Sequence, residues 1–158
     1  MKRRLFVVDD DSSVRESLKK VLEESGYEVL LAADGAEALS RLAAEPMDLL
    51  ILDVNMPGRD GWDVLEDVSE DHPLLPVVMI TGMYDELDTT QIPGVRALLK
   101  KPLEVPLLLN TVELLLAETP EQRLSRYKMS FEQAECFQNR PERMAGDTRW
   151  TSRWNRNQ

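Results

Sequence analysis

Hydrophobic and polar positions follow two alternating patterns along the first part of the chain. Short runs of consecutive apolar residues predict buried strands, and the stretches between them carry apolar residues at every third or fourth position, which predicts helices. Strands that alternate with helices build parallel sheets covered on both faces. The pattern therefore predicts an α/β fold with five strands: Arg3 to Val8, Glu28 to Leu31, Leu49 to Leu52, Val77 to Ile80 and Val95 to Leu99.

Polar caps and apolar periodicity predict helices in the intervals between these strands. The clearest is the first, which Ser12 or Asp11 caps and Gly26 ends. The fourth interval, between Thr81 and Val95, contains two adjacent threonines and a Pro-Gly stop, so we expect only one or two turns there. The other predicted helices span about 36–44, 62–69 and 103–117.

Composition and charge narrow the functional classes. The chain has 158 residues, about one domain, and its formal net charge of -10 disfavours direct nucleic-acid binding. Cys136 is the only cysteine, so no internal disulfide can form and a cytoplasmic location is expected. The apolar run after the amino terminus is cut short by acidic residues, so we expect no export signal and no membrane span.

Polar residues follow four of the predicted strands, at the point where each strand ends. Because ligands of open α/β sheets bind at the carboxyl ends of the strands, these residues are expected to share one pocket. Grouped carboxylates repel one another unless a cation neutralises them, and Mg²⁺ suits a site with two carboxylates. With a hydroxyl and a lysine, the pocket suits a phosphoryl group. The residues are Asp9-Asp10-Asp11, Asp53, Thr81-Gly82 and Lys100-Lys101-Pro102.

Four stretches of the chain carry these residues together with their neighbours. In chain order they are Val7-Val8-Asp9-Asp10-Asp11, Asp53-Val54-Asn55-Met56-Pro57-Gly58-Arg59-Asp60-Gly61, Met79-Ile80-Thr81-Gly82 and Lys100-Lys101-Pro102. Together they resemble the receiver domain of two-component response regulators. The resemblance covers about Lys2 to Ala117 and implies a flavodoxin-like sheet of order 2-1-3-4-5, doubly wound by five helices. We accordingly assign residues 1–118 to a receiver domain and 119–158 to a C-terminal extension.

The resemblance implies a role in phosphoryl transfer for three residues. Asp53 would accept a phosphoryl group from a phosphohistidine, Thr81 would hydrogen-bond that group and Lys101 would pair with it. Lys100 would face elsewhere. The chain departs from the family pattern on strand five. Leu98 occupies the position where the family usually has a tyrosine or phenylalanine that responds to phosphorylation. The coupling of this chain to its output is therefore left open.

The resemblance also implies a Mg²⁺ site. Asp10 and Asp53 would bind the ion directly, Asp9 would act mainly through water, and the backbone carbonyl of Asn55 would supply a further oxygen. Asp11 would only cap the first helix.

The implied partners are proteins: a sensor histidine kinase or a phosphotransfer protein upstream, and an unknown protein downstream. The chain would be an enzyme only in catalysing its own phosphorylation and dephosphorylation. Two alternatives are a phosphatase of the haloacid dehalogenase type, with Asp9 as nucleophile, Asp11 as acid and Thr81 as a hydroxyl, and a docking module that works without phosphorylation. The residue that becomes phosphorylated distinguishes the receiver from the phosphatase: Asp53 in the receiver and Asp9 in the phosphatase.

The extension carries no recognised output domain, and the chain is expected to be a stand-alone or truncated receiver. Periodicity predicts a helix over Pro120 to Phe137, whereas the composition beyond Asn139 indicates disorder. On the predicted fifth helix, Leu107 and Leu114 lie opposite the inner face. We expect the tail helix or a second receiver, in a possible homodimer, to cover them. The inner face comprises Val105, Leu108, Leu109, Val112, Leu115 and Leu116.

Overall fold

The computed structural model describes residues 1–56, 58, 60–82, 94–126 and 128. In this part of the chain, strands and helices alternate as the sequence predicts. The strands are β1 (Arg4–Val8), β2 (Glu28–Ala32), β3 (Leu49–Asp53), β4 (Val77–Thr81) and β5 (Val95–Lys100). The helices are α1 (Ser12–Glu24), α2 (Gly35–Ala44), α3 (Gly61–Asp71) and α4 (Val105–Leu116).

The five strands form one parallel sheet of order β2-β1-β3-β4-β5, which confirms the predicted order. Every residue of β3 and β4 is buried, because helices cover both faces of the sheet. The helix predicted fourth in the chain lies outside the described residues, so α4 corresponds to the helix predicted fifth.

Two hydrophobic cores lie on opposite faces of the sheet. Phe6, Leu50 and Met79 point to the face covered by α2 and α3. Leu5, Ile51 and Val78 point to the face covered by α1 and α4. Successive residues of one strand thus enter different cores, as the two-residue period of a strand requires. The two cores cover the faces of the sheet, so polar residues can lie only at its edges, including the carboxyl ends of the strands.

Aspartates begin three of the helices. The Asp11 side chain accepts hydrogen bonds from the backbone N–H groups of Ser13 and Val14, and Asp34 and Asp60 cap α2 and α3 in the same way. Such caps satisfy N–H groups that have no partner within the helix. Of the two caps that the sequence allowed for α1, Asp11 and Ser12, the structure therefore selects Asp11.

The inner face of α4 departs from the sequence prediction at one residue. Leu108, Val112, Leu115 and Leu116 are buried as expected, but Val105 is 40% exposed. Val105 is the first residue of the helix, and the first buried residue of α4 is Leu108, three positions further on. The prediction of Val105 as a core residue was wrong.

Residues 120–126, which follow α4, are helical, and polar contacts hold them against β5 and the end of α4. Arg96 of β5 donates a hydrogen bond to the backbone carbonyl of Arg123. The guanidinium group of Arg123 in turn donates to the backbone carbonyl of Leu115 in α4. Arg126 pairs with Glu118 at 2.8 Å. The rest of the predicted helix, from Met129 to Phe137, lies outside the described residues. In the described ranges, no helix combines the length and apolar character needed to cross a membrane.

Candidate functional site

The carboxyl ends of four strands bring the predicted site residues together. Asp9 directly follows β1, Asp53 ends β3, Thr81 ends β4 and Lys101 directly follows β5. Asp9, Asp53 and Thr81 are buried. In the described part of the chain they are the only buried residues with polar side chains. Polar groups are kept in such a position only when partners or ligands compensate their lost hydration. This edge of the sheet is therefore the candidate site.

Lys101 bridges two of the buried carboxylates. Its Nζ lies 3.1 Å from Asp9 Oδ2 and 3.4 Å from Asp53 Oδ2. The backbone N–H of Lys101 donates to the carbonyl of Thr81 at 2.8 Å, which fixes the lysine beside β4. Lys100 is exposed, so strand alternation separates the two lysines as the sequence predicts. The ammonium group therefore lies next to the predicted phosphoacceptor.

Three carboxylates form an acidic cluster. Asp9, Asp10 and Asp53 each place a carboxylate oxygen within 4.8 Å of the others, with Asp10 exposed at the mouth of the pocket. Asp9 Oδ1 accepts a hydrogen bond from the Asp11 N–H at 2.9 Å. Asp9 Oδ2 is buried and, among the described residues, has the ion pair with Lys101 but no hydrogen bond of good geometry.

This donor set fits a hard divalent cation. Such ions prefer oxygen ligands, and the single Lys101 ammonium does not neutralise three nearby carboxylates. The incompletely satisfied Asp9 Oδ2 is a further oxygen that a cation, or a water bound to it, can contact. The cluster could thus hold Mg²⁺.

The electrostatics of the site perturb the pKa values of two groups. Burial, and then the charge of Asp9, raise the pKa of Asp53 to about 6, against the opposing effects of Lys101 and of the Asn55 N–H. Burial by itself lowers the pKa of Lys101, but its close pairing with the Asp9 carboxylate and the charge of Asp53 raise the pKa above its ordinary value. At neutral pH Asp53 is thus ionised and Lys101 is charged.

The loop after β3 presents Asp53 to the pocket. The backbone N–H of Asn55 donates to Asp53 Oδ1 at 3.2 Å, and the N–H of Gly61 donates to the carbonyl of Val54 at 2.9 Å. These contacts orient the Asp53 carboxylate and close the loop onto the start of α3. Asn55, whose backbone carbonyl the resemblance implies as a metal ligand, is exposed at the rim.

Two supporting residues were missed by the sequence analysis. Gly61 lies so close to β3 that an added Cβ would overlap the backbone of Asp53 and Val54, whereas the sequence analysis named it only within one of the resembling stretches. Arg15 on α1 donates from Nη1 to the Asp9 carbonyl at 2.7 Å. No sequence signal indicated Arg15, because the contact depends on the angle between α1 and β1.

The order of the sheet and the aspartate, threonine and lysine at its strand ends define a receiver domain. A family model described as the response regulator receiver domain matches residues 5–113. The chain belongs to this family, and the resemblance and function stated from the sequence are confirmed at the level of a receiver domain of two-component systems. The phosphatase alternative finds no support in these comparisons.

Named relatives and solved structures agree with this assignment. The chain is 39% identical over 88 residues to the alkaline phosphatase synthesis transcriptional regulatory protein PhoP of Bacillus subtilis, which covers 56% of this chain and 37% of PhoP. It is 38% identical over 133 residues to the response regulator MprA of Mycobacterium avium, covering 81% of this chain and 58% of MprA. The chain therefore spans less than two thirds of the length of either relative.

The structure of the Vibrio cholerae chemotaxis protein CheY4 matches with a TM-score of 0.69 and 30% identity, over 73% of this chain and 99% of that one. The match therefore covers nearly all of that chain and about three quarters of this one.

Proposed function

We propose that this chain is a phosphoaccepting switch in which Asp53 receives a phosphoryl group from a phosphohistidine. The observation that carries the proposal is the position of the Lys101 ammonium, 3.1 Å from Asp9 and 3.4 Å from Asp53, at the mouth of a cluster of carboxylates. This arrangement provides a nucleophile, a cation site and a fixed positive charge in one pocket. Phosphoryl transfer depends mainly on such positioning and charge neutralisation.

In the proposed step, an oxygen of ionised Asp53 attacks phosphorus as the P–N bond of the phosphohistidine breaks. The imidazole leaves with the electron pair of that bond, neutral because its other ring nitrogen carries a proton, and the product is an acyl phosphate. Lys101 would exchange part of its ion pair with Asp53 for one with the phosphoryl oxygens, and the Thr81 hydroxyl would donate to them. The pKa of about 6 supports the ionised form of Asp53 at neutral pH.

Mg²⁺ would be held by Asp10 and Asp53, by Asp9 mainly through water, and by the backbone carbonyl of Asn55. When bound, the ion would neutralise charge that develops on the phosphoryl oxygens. The residues of the chain itself fix the geometry: Asp11 and Arg15 hold the backbone and side chain around Asp9.

The phosphoaccepting unit would comprise residues 1–118, with 119–158 as an extension. Its direct partners would be a sensor histidine kinase or a phosphotransfer protein, and a downstream protein, in the cytoplasm. The chain would catalyse only its own phosphorylation and dephosphorylation. The names of the relatives, which are regulatory proteins and response regulators, support a place in such a relay.

The test is incubation of the full chain with Mg²⁺ and acetyl phosphate, followed by mapping of added phosphate by mass spectrometry. We expect one phosphoryl group on Asp53 and none on Asp53→Ala, which should fold normally. Labelling of Asp9 would indicate the phosphatase chemistry instead. Absence of any label on the folded wild type would reject the phosphoacceptor role and favour the docking module.

A further inference from the structure

The outer face of α4 carries two apolar side chains that the domain does not cover. Leu107 is 49% exposed and Leu114 is 62% exposed, and no other helix of the described residues packs over them. Seven residues separate them, so they lie about 10 Å apart along the helix axis and on the same side. We call these two residues the outer stripe. Singly exposed apolar residues are common on protein surfaces, so these two leucines indicate an interaction surface only together with a partner segment close at hand.

The chain itself returns to the end of this stripe. After α4 ends at Leu116, residues 120–126 form a short helical segment. Contacts with Arg96, Glu118 and the Leu115 carbonyl fix this segment at the C-terminal end of α4. Leu114 lies within one turn of that end. The remaining chain, residues 129–158, therefore starts from an anchored point beside the outer stripe.

The segment that follows has suitable composition and sufficient reach. Residues 129–137 contain three large apolar side chains, Met129, Phe131 and Phe137, and the smaller Cys136. Nine residues span about 13 Å as a helix and about 30 Å when extended, and either length covers the outer stripe.

The contact would rest on apolar packing and not on charge, because residues 129–137 carry two acidic side chains, Glu132 and Glu135, and no basic one.

We propose that residues 129–137 pack on the outer stripe of the same molecule, so that the extension covers α4. The occupant is the tethered segment and not a second copy, because anchoring at residues 120–126 gives the segment an effective concentration in the millimolar range. A second copy at micromolar concentration competes poorly with such a tether.

Cys136 allows a direct test, because it is the only cysteine of the chain and lies within the proposed segment. Full-length Leu107→Cys and Leu114→Cys are each oxidised with excess oxidised glutathione, and disulfides are identified by non-reducing peptide mapping. The matched control is Ser40→Cys, an exposed position on α2 at the opposite face of the sheet. Exposed positions are chosen so that each variant keeps its core.

We expect an intramolecular disulfide with Cys136 to form about tenfold faster at one or both stripe positions than at Ser40→Cys. The preference should disappear in urea, where the anchor is lost. Equal rates at all three positions would overturn the proposal. Covalent dimers through the stripe cysteines would overturn it in favour of a second copy, and size-exclusion chromatography of the wild type would then show the dimer.

Discussion

Replacing Asp53 by asparagine should stabilise the metal-free protein at neutral pH, and the gain should vanish in acid. Burial and the charge of Asp9 raise the pKa of Asp53 from 3.8 to about 6. The folded state therefore binds more protons at this site than the unfolded state in the window between these values, so the ionised carboxylate opposes folding as the pH rises through it. Asparagine removes the charge and keeps an oxygen that can accept the Asn55 N–H.

The magnitude follows from the pKa shift. Each pKa unit corresponds to about 1.36 kcal/mol, so the free-energy cost of ionised Asp53 is roughly 3 kcal/mol once it is fully charged. Below the unfolded-state pKa both states are protonated and this cost is absent. The difference in the free energy of unfolding between Asp53→Asn and wild type should therefore grow by roughly 2–3 kcal/mol from about pH 4 to pH 7.

Urea unfolding in EDTA, followed by circular dichroism at several pH values in this range, measures the difference. Glu113→Gln, which removes an exposed carboxylate from the outer side of α4, is the control and should show little change. Mg²⁺ should narrow the gap, because a cation bound by ionised wild type stabilises its folded state. A gap that stays constant with pH, or a wild type that is the more stable protein at pH 7, would refute the reasoning.

Three further outcomes are expected. Asp10→Asn should weaken Mg²⁺ binding in calorimetry because the site loses one negative charge, whereas Lys101→Ala should bind Mg²⁺ at least as well as wild type and lose labelling by acetyl phosphate; equal loss of metal binding in both would contradict these roles. Gly61→Ala should lower the free energy of unfolding by about 1–3 kcal/mol through overpacking against β3. Gly82→Ala is the control and should leave it unchanged, because the space around its Cβ position is open. Equal urea midpoints for the two variants would contradict the close approach of Gly61 to β3. Asp11→Ala should cost about 1 kcal/mol as a lost helix cap yet keep phosphorylation of Asp53; loss of labelling in the folded variant would assign Asp11 a chemical role.

Local signals in the sequence were sufficient for the elements and for most of the site. Apolar runs of β-forming residues gave the five strands, because strands buried on both faces need continuous apolar sequence. Aspartates before apolar periodicity gave the helix starts, since a cap acts on N–H groups only two or three residues away. The order of the sheet came from the resemblance, because pairing between distant strands leaves no local signal.

Tertiary structure decided how the site residues differ from one another. Asp9 and Asp10 are neighbours in the acidic triplet, yet Asp9 is buried with Lys101 and Asp10 is exposed, because the turn from β1 into α1 points successive side chains in different directions. Gly61 and Arg15 depend on the approach of α3 and α1 to the sheet, which no spacing in the sequence encodes. Val105 shows the same limit: a helical wheel gives the side of a helix but not where along its axis the contact with the sheet ends.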